Sequence, residues 1–170
     1  MKSIMISIRP EWIVKILNGE KTIELRKSYP KCELPCKVYI YCTKSGDDYF
    51  CSNEVREFTY KGLCGYVIAE FVLNKITKHE KNFLDFEDDL CYNFTSEDVK
   101  NAGFVNSRMD DWEELNGLLD FNKFVDDYVC GKPLYAWHID DLKIYDKPKE
   151  LSEFGIKRAF QSWGYVEEIK

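Results

Sequence analysis

Three charged side chains stand close together near the amino terminus of the chain. Lys21, Glu24 and Arg26 place an ammonium, a carboxylate and a guanidinium within six residues. A guanidinium presents a planar fork of donors that suits a phosphate or a base edge, an ammonium is a point charge, and a carboxylate accepts from exocyclic amines. The spacing therefore predicts recognition of a small polar group. The alternative interpretation is a set of solvated surface ion pairs, each contributing little to stability.

The elements around this cluster must hold its geometry. Pro10 suits the first position of a helix, Glu11 suits the positive end of its dipole, and Gly19 suits a left-handed residue that ends it. The sequence therefore predicts a helix at 10–18 and an extended segment at 21–27. Alternation of side chains along that segment predicts a polar side with Thr22, Glu24 and Arg26, and a core side with Ile23 and Leu25.

The same residue types also allow hydrolysis. Lys21 would need a pKa lowered by desolvation or by Arg26, or it would stabilise an oxyanion. Glu24 or Glu70 would then activate a water molecule or the hydroxyl of Thr22. His138 lies mid-strand between two apolar residues, so we predict that it is a hydrogen-bonded structural histidine.

Length and composition bound the fold. A chain of 170 residues that is 45% hydrophobic and 15% aromatic predicts one globular domain with a sizeable core. No apolar run approaches the length of a membrane span, and charged residues and Pro10 interrupt the first strand before a secretory leader could form. We expect a cytoplasmic protein that does not contact a membrane.

The cysteines give no strong signal for a metal. Seven cysteines are an odd number without scaffold-like spacing, and without an export signal they are expected to be reduced. Cys32 and Cys36, with Cys42 and Cys51 nearby, make a zinc site conceivable, but the chain has no second tight cysteine pair. We predict neither a metal nor a cofactor. Cys42 and Cys64 are predicted to be small core residues of strands.

Charge is distributed unevenly along the chain. Residues 79–130 contain 14 acidic and 4 basic side chains, whereas the other 118 residues contain 16 acidic and 20 basic ones. The basic excess is too small for strong non-specific binding to a duplex, but it is compatible with a nucleotide or a short single strand. The acidic segment 79–130 is predicted to be a helical insertion, either a solvated face over a small core or a surface for a protein partner.

The remaining pattern predicts a mainly β fold with helical decoration. A short helix is expected from Ser96, as its cap, to Gly103, and a second is expected to begin at Asp110 or Asp111. The inward residues expected on the second helix are Trp112, Leu115 and Leu119, with Phe124 and Tyr128 as further candidates. Strands are expected at 2–9, 37–43, 62–76, 134–139, 142–145 and in the tail, with a loop at 44–60 that could hold a short helix at 53–60.

Several segments together resemble the ASCH (activating-signal-cointegrator homology) domain, and in particular the longer ASCH proteins of bacteria and phages. The resemblance covers both ends of the chain and most of it outside 79–130. The segments that carry it are Gly19-x-Lys21-x-x-Glu24-x-Arg26, Gly65-Tyr-Val-Ile-Ala-Glu-Phe, Ala136-Trp-His-Ile-Asp-Asp-Leu-Lys-Ile-Tyr-Asp-Lys-Pro-Lys-Glu-Leu and Gln161-Ser-Trp-Gly-Tyr-Val.

This resemblance implies an α+β, mainly β fold, a PUA-like β-barrel over residues 1–170 with flanking helices and the insertion at about 79–130. The PUA-like fold is associated with RNA binding and RNA modification, and the resemblance implies a cleft lined by the motif residues. We therefore predict a module that binds single-stranded RNA or a nucleotide. Aromatic residues that could stack on a base are Tyr39, Tyr41, Trp137, Trp163 and Tyr165. The predicted binding residues are Lys21, Glu24, Arg26, Tyr41, Gln161, Ser162 and Trp163.

Some small ASCH proteins are similar to amidohydrolases that remove the acetyl group from acetylcytidine with a lysine, a threonine and a glutamate. Their threonine stands three residues after the motif lysine, where this chain has Glu24, and Thr22 is adjacent to Lys21 instead. The lysine carries over and the threonine does not. The catalytic alternative therefore comprises Lys21, Thr22, Glu24 and Glu70, and binding remains the favoured prediction.

Overall fold

The computed structural model describes residues 2–44, 63–83, 90–104, 120–128 and 130–168. The chain forms two compact units. The first unit comprises Met1–Gly19, Cys32–Asn74 and Ile139–Lys170, and the second comprises Glu20–Lys31 and Lys75–His138. The single domain over 1–170 stays a prediction. Two of the predicted helices fall outside the described residues. They are the helix at 53–60 and the start of the helix at Asp110 or Asp111, with Trp112, Leu115 and Leu119.

Ten strands and two α-helices have defined bounds. In chain order they are β1 (Lys2–Ile8), α1 (Pro10–Leu17), β2 (Ile23–Arg26), β3 (Cys36–Cys42), β4 (Val67–Leu73), β5 (Ile76–His79), β6 (Lys81–Phe83), β7 (Leu90–Tyr92), α2 (Ser96–Asn101), β8 (Leu134–His138), β9 (Asp140–Lys149), a 3₁₀ helix (Leu151–Phe154) and β10 (Trp163–Glu167). Residues 120–128 are also helical. The predicted mainly β class is confirmed.

The first unit is built on a five-stranded sheet in the order β10-β1-β3-β4-β9. β1 and β3 are parallel, and the other neighbours are antiparallel. β1 and β3 are almost continuously buried, as expected for central strands covered on both faces. One of the apolar clusters of this unit joins Met5, Tyr39, Tyr41, Val67, Phe154 and Val166.

The second unit contains a three-stranded antiparallel sheet in the order β2-β8-β5 and a separate hairpin of β6 and β7. Its core joins residues of the sheet to residues of the acidic segment: Ile23, Leu134 and Ala136 pack with Tyr92, Phe94, Val99, Ala102, Phe121 and Val125. Among the described strands neither the three-stranded nor the five-stranded sheet closes on itself, so the predicted barrel stays a prediction.

The predicted first helix is confirmed. α1 has Pro10 in its first turn and Glu11 at its positive end, and it buries Ile13, Ile16 and Leu17. The chain leaves the helix through Gly19, whose φ of 77° is the left-handed conformation that glycine adopts without steric cost.

Three predictions about element boundaries were wrong. The strand expected over 62–76 ends at Leu73, and β5 then pairs with β8 in the other unit. Thr95, and not Ser96, caps α2, because the Thr95 hydroxyl accepts from the Asp98 N–H and the Asp98 carboxylate accepts from the Thr95 N–H. Cys64 lies in a turn before β4 and is only half-buried, whereas Cys42 is a buried strand residue as predicted.

The helical phase of residues 120–128 also differs from the prediction. Phe124 and Tyr128 are exposed, whereas Phe121, three positions before Phe124, and Val125, one position after it, enter the core. Phe124 still contacts other rings, because its centroid lies 4.9 Å from that of Phe104. The buried stripe is therefore shifted by about one residue around the helix.

Candidate functional site

β2 carries the charged residues on one face of the three-stranded sheet. In the antiparallel pair of β2 and β8, Glu24 lies opposite Trp137 and Arg26 lies opposite Tyr135. Directly opposed residues share a face, so these four side chains lie on the same side of the sheet. Ile23 belongs to the apolar core on the other side. The predicted alternation from Ile23 to Arg26 is thereby confirmed.

The head groups of Lys21, Glu24 and Arg26 converge, and we call these three residues the charged cluster. Lys21 Nζ lies 3.4 Å from Glu24 Oε2, and Arg26 Nη2 lies 3.1 Å from Glu24 Oε1. The carboxylate is thus held between an ammonium on one oxygen and a guanidinium on the other. Glu24 Oε2 accepts no hydrogen bond within the described part of the chain, and so retains acceptor capacity.

The charged cluster is almost completely buried. The side chains of Lys21, Glu24 and Arg26 are 3%, 9% and 11% exposed. The alternative interpretation of solvated surface pairs was therefore wrong. Ion pairs in this environment lose most of their hydration, so their geometry is fixed by their mutual contacts and by the surrounding backbone.

Helix α2 of the acidic segment helps to position the cluster. Lys21 Nζ donates a hydrogen bond of 3.0 Å to the carbonyl of Ala102, the residue that caps the carboxyl end of α2. The backbone N–H of Thr22 donates to the carbonyl of Asn101 at 2.8 Å. These two donors satisfy carbonyls that a helix end leaves without intrahelical partners, and a cation suits that end of the dipole.

Thr22 does not join the cluster. It precedes β2, and its side chain is exposed, unlike the side chains of Lys21 and Glu24. No hydrogen bond links its hydroxyl to Lys21 or Glu24 in the described part of the chain. Because Thr22 lies just before the regular strand, the expectation that it shares the polar side with Glu24 and Arg26 stays a prediction.

Two tyrosines that sequence reasoning missed lie beside the cluster. Tyr135 is the cross-strand partner of Arg26, and its ring centroid lies 4.7 Å from that of Tyr29, which is exposed. Trp137 on the same face is fully buried and donates from its indole N–H to the carbonyl of Ser28 at 3.3 Å. The alternation of Tyr135 and Trp137 along β8 was the signal that could have identified this face.

His138 has the structural role that was predicted. It lies at the end of β8, and its Nε2 is 2.9 Å from the hydroxyl of Thr77 on the neighbouring strand β5. Its backbone N–H donates to the carbonyl of Lys75 at 3.0 Å. These contacts tie the two strands together at one end of the sheet.

Glu70 lies in the first unit, on β4. Its Oε2 accepts a hydrogen bond of 2.5 Å from the Tyr145 hydroxyl, and its Oε1 lies 4.0 Å from Lys37 Nζ. Burial, and next the hydrogen bond to Glu70, raise the pKa of Tyr145 above its ordinary value. Glu70 is therefore paired, and its closest partner is a neutral phenol.

The remaining predicted binding residues also belong to the first unit. Tyr41 is buried in its apolar core, where burial raises the pKa of the phenol. Gln161 is exposed, the Ser162 carbonyl accepts from the Ser7 N–H at 2.8 Å, and the Trp163 ring meets that of Tyr165 edge to face. Their contact with a ligand stays a prediction.

The described residues offer neither a metal-binding group nor a membrane-spanning helix. No group of three or more His, Cys, Asp or Glu side chains there has a geometry that could hold a metal ion. No helix among them has the length and apolar character needed to cross a membrane.

The fold is similar to that of solved ASCH structures from Zymomonas mobilis. A single-residue mutant of that ASCH protein superposes with a TM-score of 0.56 at 16% identity, covering 99% of this chain and 92% of that one. The ASCH structure itself gives 0.54 at 16% identity, covering 98% and 88%, and a second mutant gives 0.56 at 16%, covering 98% and 89%. The sequence matches no family model and no curated protein. The predicted ASCH fold is confirmed.

Proposed function

We propose that this chain is an RNA- or nucleotide-binding module, and that the charged cluster with Tyr29 and Tyr135 forms its binding site. The observation that carries the proposal is the convergence of three buried head groups on Glu24, at 3.4 Å and 3.1 Å. The ASCH fold supports the same class of function, because it is the fold that the resemblance associated with RNA.

Each part of the site matches a part of a nucleotide. Arg26, the most exposed member of the charged cluster, offers its guanidinium to a phosphate or a base edge. Glu24 Oε2 accepts no hydrogen bond among the described residues but is buried, so we assign it to the exocyclic amine of a cytosine or adenine that displaces part of the cluster's cover as it enters. Tyr29 and Tyr135 provide a partly exposed pair of rings on which a base can stack.

Burial of the charged cluster favours recognition of single strands or free nucleotides over binding to a duplex. A duplex presents its phosphates on a wide surface and is bound by many exposed cations. A fixed carboxylate between two cations instead reads the edge of one base that has left its stack. Glu24 is the residue to which we assign this selectivity.

Hydrolysis of an acetylated nucleoside is the alternative activity, and two contacts disfavour it. Lys21 Nζ is engaged by Glu24 and by the Ala102 carbonyl, and Thr22 is exposed without a hydrogen bond to Lys21 within the described residues. Incubation with acetylcytidine, followed by chromatography for cytidine, tests this alternative against a Lys21→Met control. Cytidine formed by the wild type and not by the control would replace the binding proposal with a catalytic one.

The protein-partner role of the acidic segment stays a weaker proposal. Much of that segment lies outside the described residues. The part that is described supports the charged cluster, because the Ala102 carbonyl accepts from Lys21 and because Val99 and Ala102 belong to the same apolar core as Ile23. Deletion of the segment is therefore expected to disturb the cluster as well as any partner surface.

A binding titration tests the main proposal. Labelled homopolymeric single-stranded RNAs and nucleoside monophosphates are titrated by fluorescence anisotropy or calorimetry with the wild type, Arg26→Lys, Tyr135→Ala and the exposed-lysine control Lys147→Ala. Arg26→Lys keeps the charge and removes the fork, so we expect affinity to fall about tenfold. Loss of stacking in Tyr135→Ala is expected to cost about 1–3 kcal/mol of binding. Lys147→Ala is expected to bind with an affinity within about twofold of wild type, because an exposed, solvated charge contributes little.

Salt dependence and melting temperature complete the test. Binding should weaken with salt. The logarithm of the association constant is expected to fall against the logarithm of the salt concentration with a slope of about 0.7 for each phosphate contacted on a single strand. Each variant must melt cooperatively, so that loss of binding is separated from loss of fold. Absence of saturable binding to every probe, or wild-type affinity in both site variants, would end the proposal.

A further inference from the structure

Two cysteines of the first unit form a close dithiol. The Cys32 thiol donates to Cys36 Sγ across 3.4 Å, a contact that sequence spacing alone did not establish. Cys36 is the first residue of β3 and is buried, whereas Cys32 lies in the preceding loop and is half-buried. A disulfide needs the sulfurs about 2.05 Å apart, so the two sulfurs must approach by about 1.4 Å for the bond to form.

Cys32 and Cys36 line the same pocket. This pocket has a volume of about 340 Å³, and both Cys32 and Cys36 line it. Lys2 and Lys37 stand in its wall beside Glu33 and Glu168, and Lys37 Nζ lies 3.1 Å from Glu168 Oε1. The pocket borders both cysteines, and its two lysines and two glutamates offer partners for the carboxylates and the ammonium groups of a zwitterionic reagent.

We propose that Cys32 and Cys36 are a redox site that forms a reversible intrachain disulfide by exchange with a low-molecular-weight disulfide of the glutathione type. The Cys32 thiolate attacks one sulfur of glutathione disulfide, the reagent's S–S bond breaks, and one glutathione thiolate leaves. Cys36 Sγ then attacks Cys32 Sγ, and the second glutathione departs with the Cys36 proton. Two electrons pass from the two protein thiols to the reagent, which leaves as two thiols.

The different environments of the two thiols set this order. Burial, and next the contact with Cys32, raise the pKa of Cys36 to about 12, so this thiol stays protonated at neutral pH. A protonated thiol is a poor first nucleophile, because the thiolate is the reactive form. Cys32 is more exposed and therefore attacks first, and Cys36 is the resolving thiol.

A second pair of cysteines provides an internal comparison. Cys42 Sγ and Cys64 Sγ are 3.8 Å apart, but neither residue lines this pocket. Cys42 is buried in β3. We therefore expect Cys42 and Cys64 to remain thiols under conditions that oxidise Cys32 and Cys36. Cys130 is exposed and reports whether the reagent is active.

Tryptic digestion shows which cysteines have been oxidised, because the two cysteine pairs and Cys130 fall in different peptides. Cleavage after Lys31 and Lys37 releases Cys32 and Cys36 in a single peptide, whereas Cys42 and Cys64 fall in different peptides and Cys130 in another. The reduced full-length protein is incubated with glutathione disulfide until Cys130 carries glutathione. Remaining thiols are blocked with N-ethylmaleimide under denaturing conditions, and the digest is analysed by mass spectrometry without reduction.

The expected product is peptide 32–37 without label and lighter by two hydrogen atoms, restored to two labelled thiols after dithiothreitol. In Cys36→Ser we expect glutathione to accumulate on Cys32, since no resolving thiol remains. In Cys32→Ser we expect Cys36 to stay unmodified while Cys130 reacts. Two labels on peptide 32–37 of the wild type, or glutathione that persists on Cys32 with Cys36 present, would overturn the proposal.

Discussion

Two glutamates on strands, Glu24 in the second unit and Glu70 in the first, are stabilised in contrasting ways. Glu24 is held by two cations, at 3.4 Å and 3.1 Å, and its side chain is 9% exposed. Glu70 is held by the neutral hydroxyl of Tyr145 at 2.5 Å, with Lys37 at 4.0 Å, and its side chain is 19% exposed. Lys37 itself lies closer to Glu168. The Glu24 carboxylate is therefore balanced by buried cations, whereas the Glu70 carboxylate is balanced by a hydroxyl, a more distant lysine and partial contact with solvent.

The contrast extends to each unit as a whole. Among the described residues, the buried acidic and basic side chains, Lys21, Glu24 and His79, all belong to the second unit, whereas the first unit buries the hydroxyls of Ser3 and Ser7 together with phenols and thiols that are neutral near pH 7. Burial of a charge is costly unless partners compensate, and hydroxyls need only a single hydrogen bond. The second unit therefore bears the larger electrostatic cost, and we assign recognition to it.

Replacement of each glutamate by glutamine is expected to give the largest difference between the two sites. Glu24→Gln removes the charge between two buried cations, and we expect the free energy of unfolding to fall by about 3–5 kcal/mol. Glu70→Gln keeps an amide oxygen that can accept from Tyr145, and we expect a loss of about 1 kcal/mol. Urea unfolding followed by circular dichroism measures both.

A conservative variant separates the electrostatic cause from packing. Glu24→Leu has a similar volume and removes every hydrogen-bonding atom, so it should be no more stable than Glu24→Gln. If Glu24→Gln and Glu70→Gln lowered the free energy of unfolding equally, the two carboxylates would contribute equally to stability. The difference in their surroundings would then not affect stability.

A smaller effect is expected at the Glu70 site when its donor is removed. Tyr145→Phe deletes the hydroxyl that donates to a carboxylate, which should cost about 1.5–3 kcal/mol. Because the pKa of Tyr145 is raised in the folded chain, the unfolded chain loses the phenolic proton first as pH rises. The contribution of this tyrosine is therefore complete below about pH 10 and declines above it.

The measurement is the difference in unfolding free energy between wild type and Tyr145→Phe as a function of pH. We expect the difference to be constant near neutrality and to narrow in the alkaline range. Tyr165→Phe, which alters an exposed ring, serves as the matched control. A difference that stays constant to high pH would show that the Tyr145 hydroxyl is not coupled to Glu70.

Local sequence signals were sufficient to predict the ends of α1 and the orientation of the side chains of β2. Proline, glutamate and glycine at the ends of α1 predicted its bounds within a residue, and alternation predicted which residues of β2 face the core. Alternation along an extended segment predicted that Glu24 and Arg26 share a side, and Lys21 reaches Glu24 from just before the strand.

Burial of that cluster could not be predicted, because it depends on partners distant in sequence. Lys21 is anchored by the Ala102 carbonyl, which belongs to a segment interpreted as a separate insertion. The strand expected over 62–76 failed for the same reason, since β5 pairs with β8, about sixty residues further along the chain. Continuity of apolar residues did not reveal where the chain passes from one unit to the other.

Which apolar face of the helix at 120–128 is buried could not be predicted from the sequence, for a different reason. Phe121, Phe124, Val125 and Tyr128 are all apolar or aromatic, so the sequence offers two adjacent stripes and does not say which one is buried. The structure buries Phe121 and Val125, and the Phe121 ring meets that of Phe94 edge to face at 5.0 Å. Shape complementarity with the opposing ring, and not hydrophobicity alone, decides the phase.

His79 gives the smallest of the expected effects and tests whether the second unit resists charging of a buried group. It is 3% exposed, and its ring stacks on that of Phe94 at 3.9 Å. Burial lowers the pKa of His79, and the Asp98 carboxylate and Asn93 oppose that shift only in part. Below about pH 6.5 the unfolded chain binds a proton that the folded chain does not, so the free energy of unfolding falls as pH falls.

The chain has only two histidines, which makes this contribution separable. We expect His79→Phe to flatten the decline in stability between pH 7 and pH 5.5 relative to wild type, by at most about 1.4 kcal/mol per pH unit, the limit for one proton. His138→Gln, which removes the half-buried histidine bonded to Thr77, is measured alongside to isolate the share of the other histidine. Equal slopes for wild type and His79→Phe would mean that the second unit accommodates the charged imidazole, and its distinction from the first unit would then rest on Lys21 and Glu24 alone.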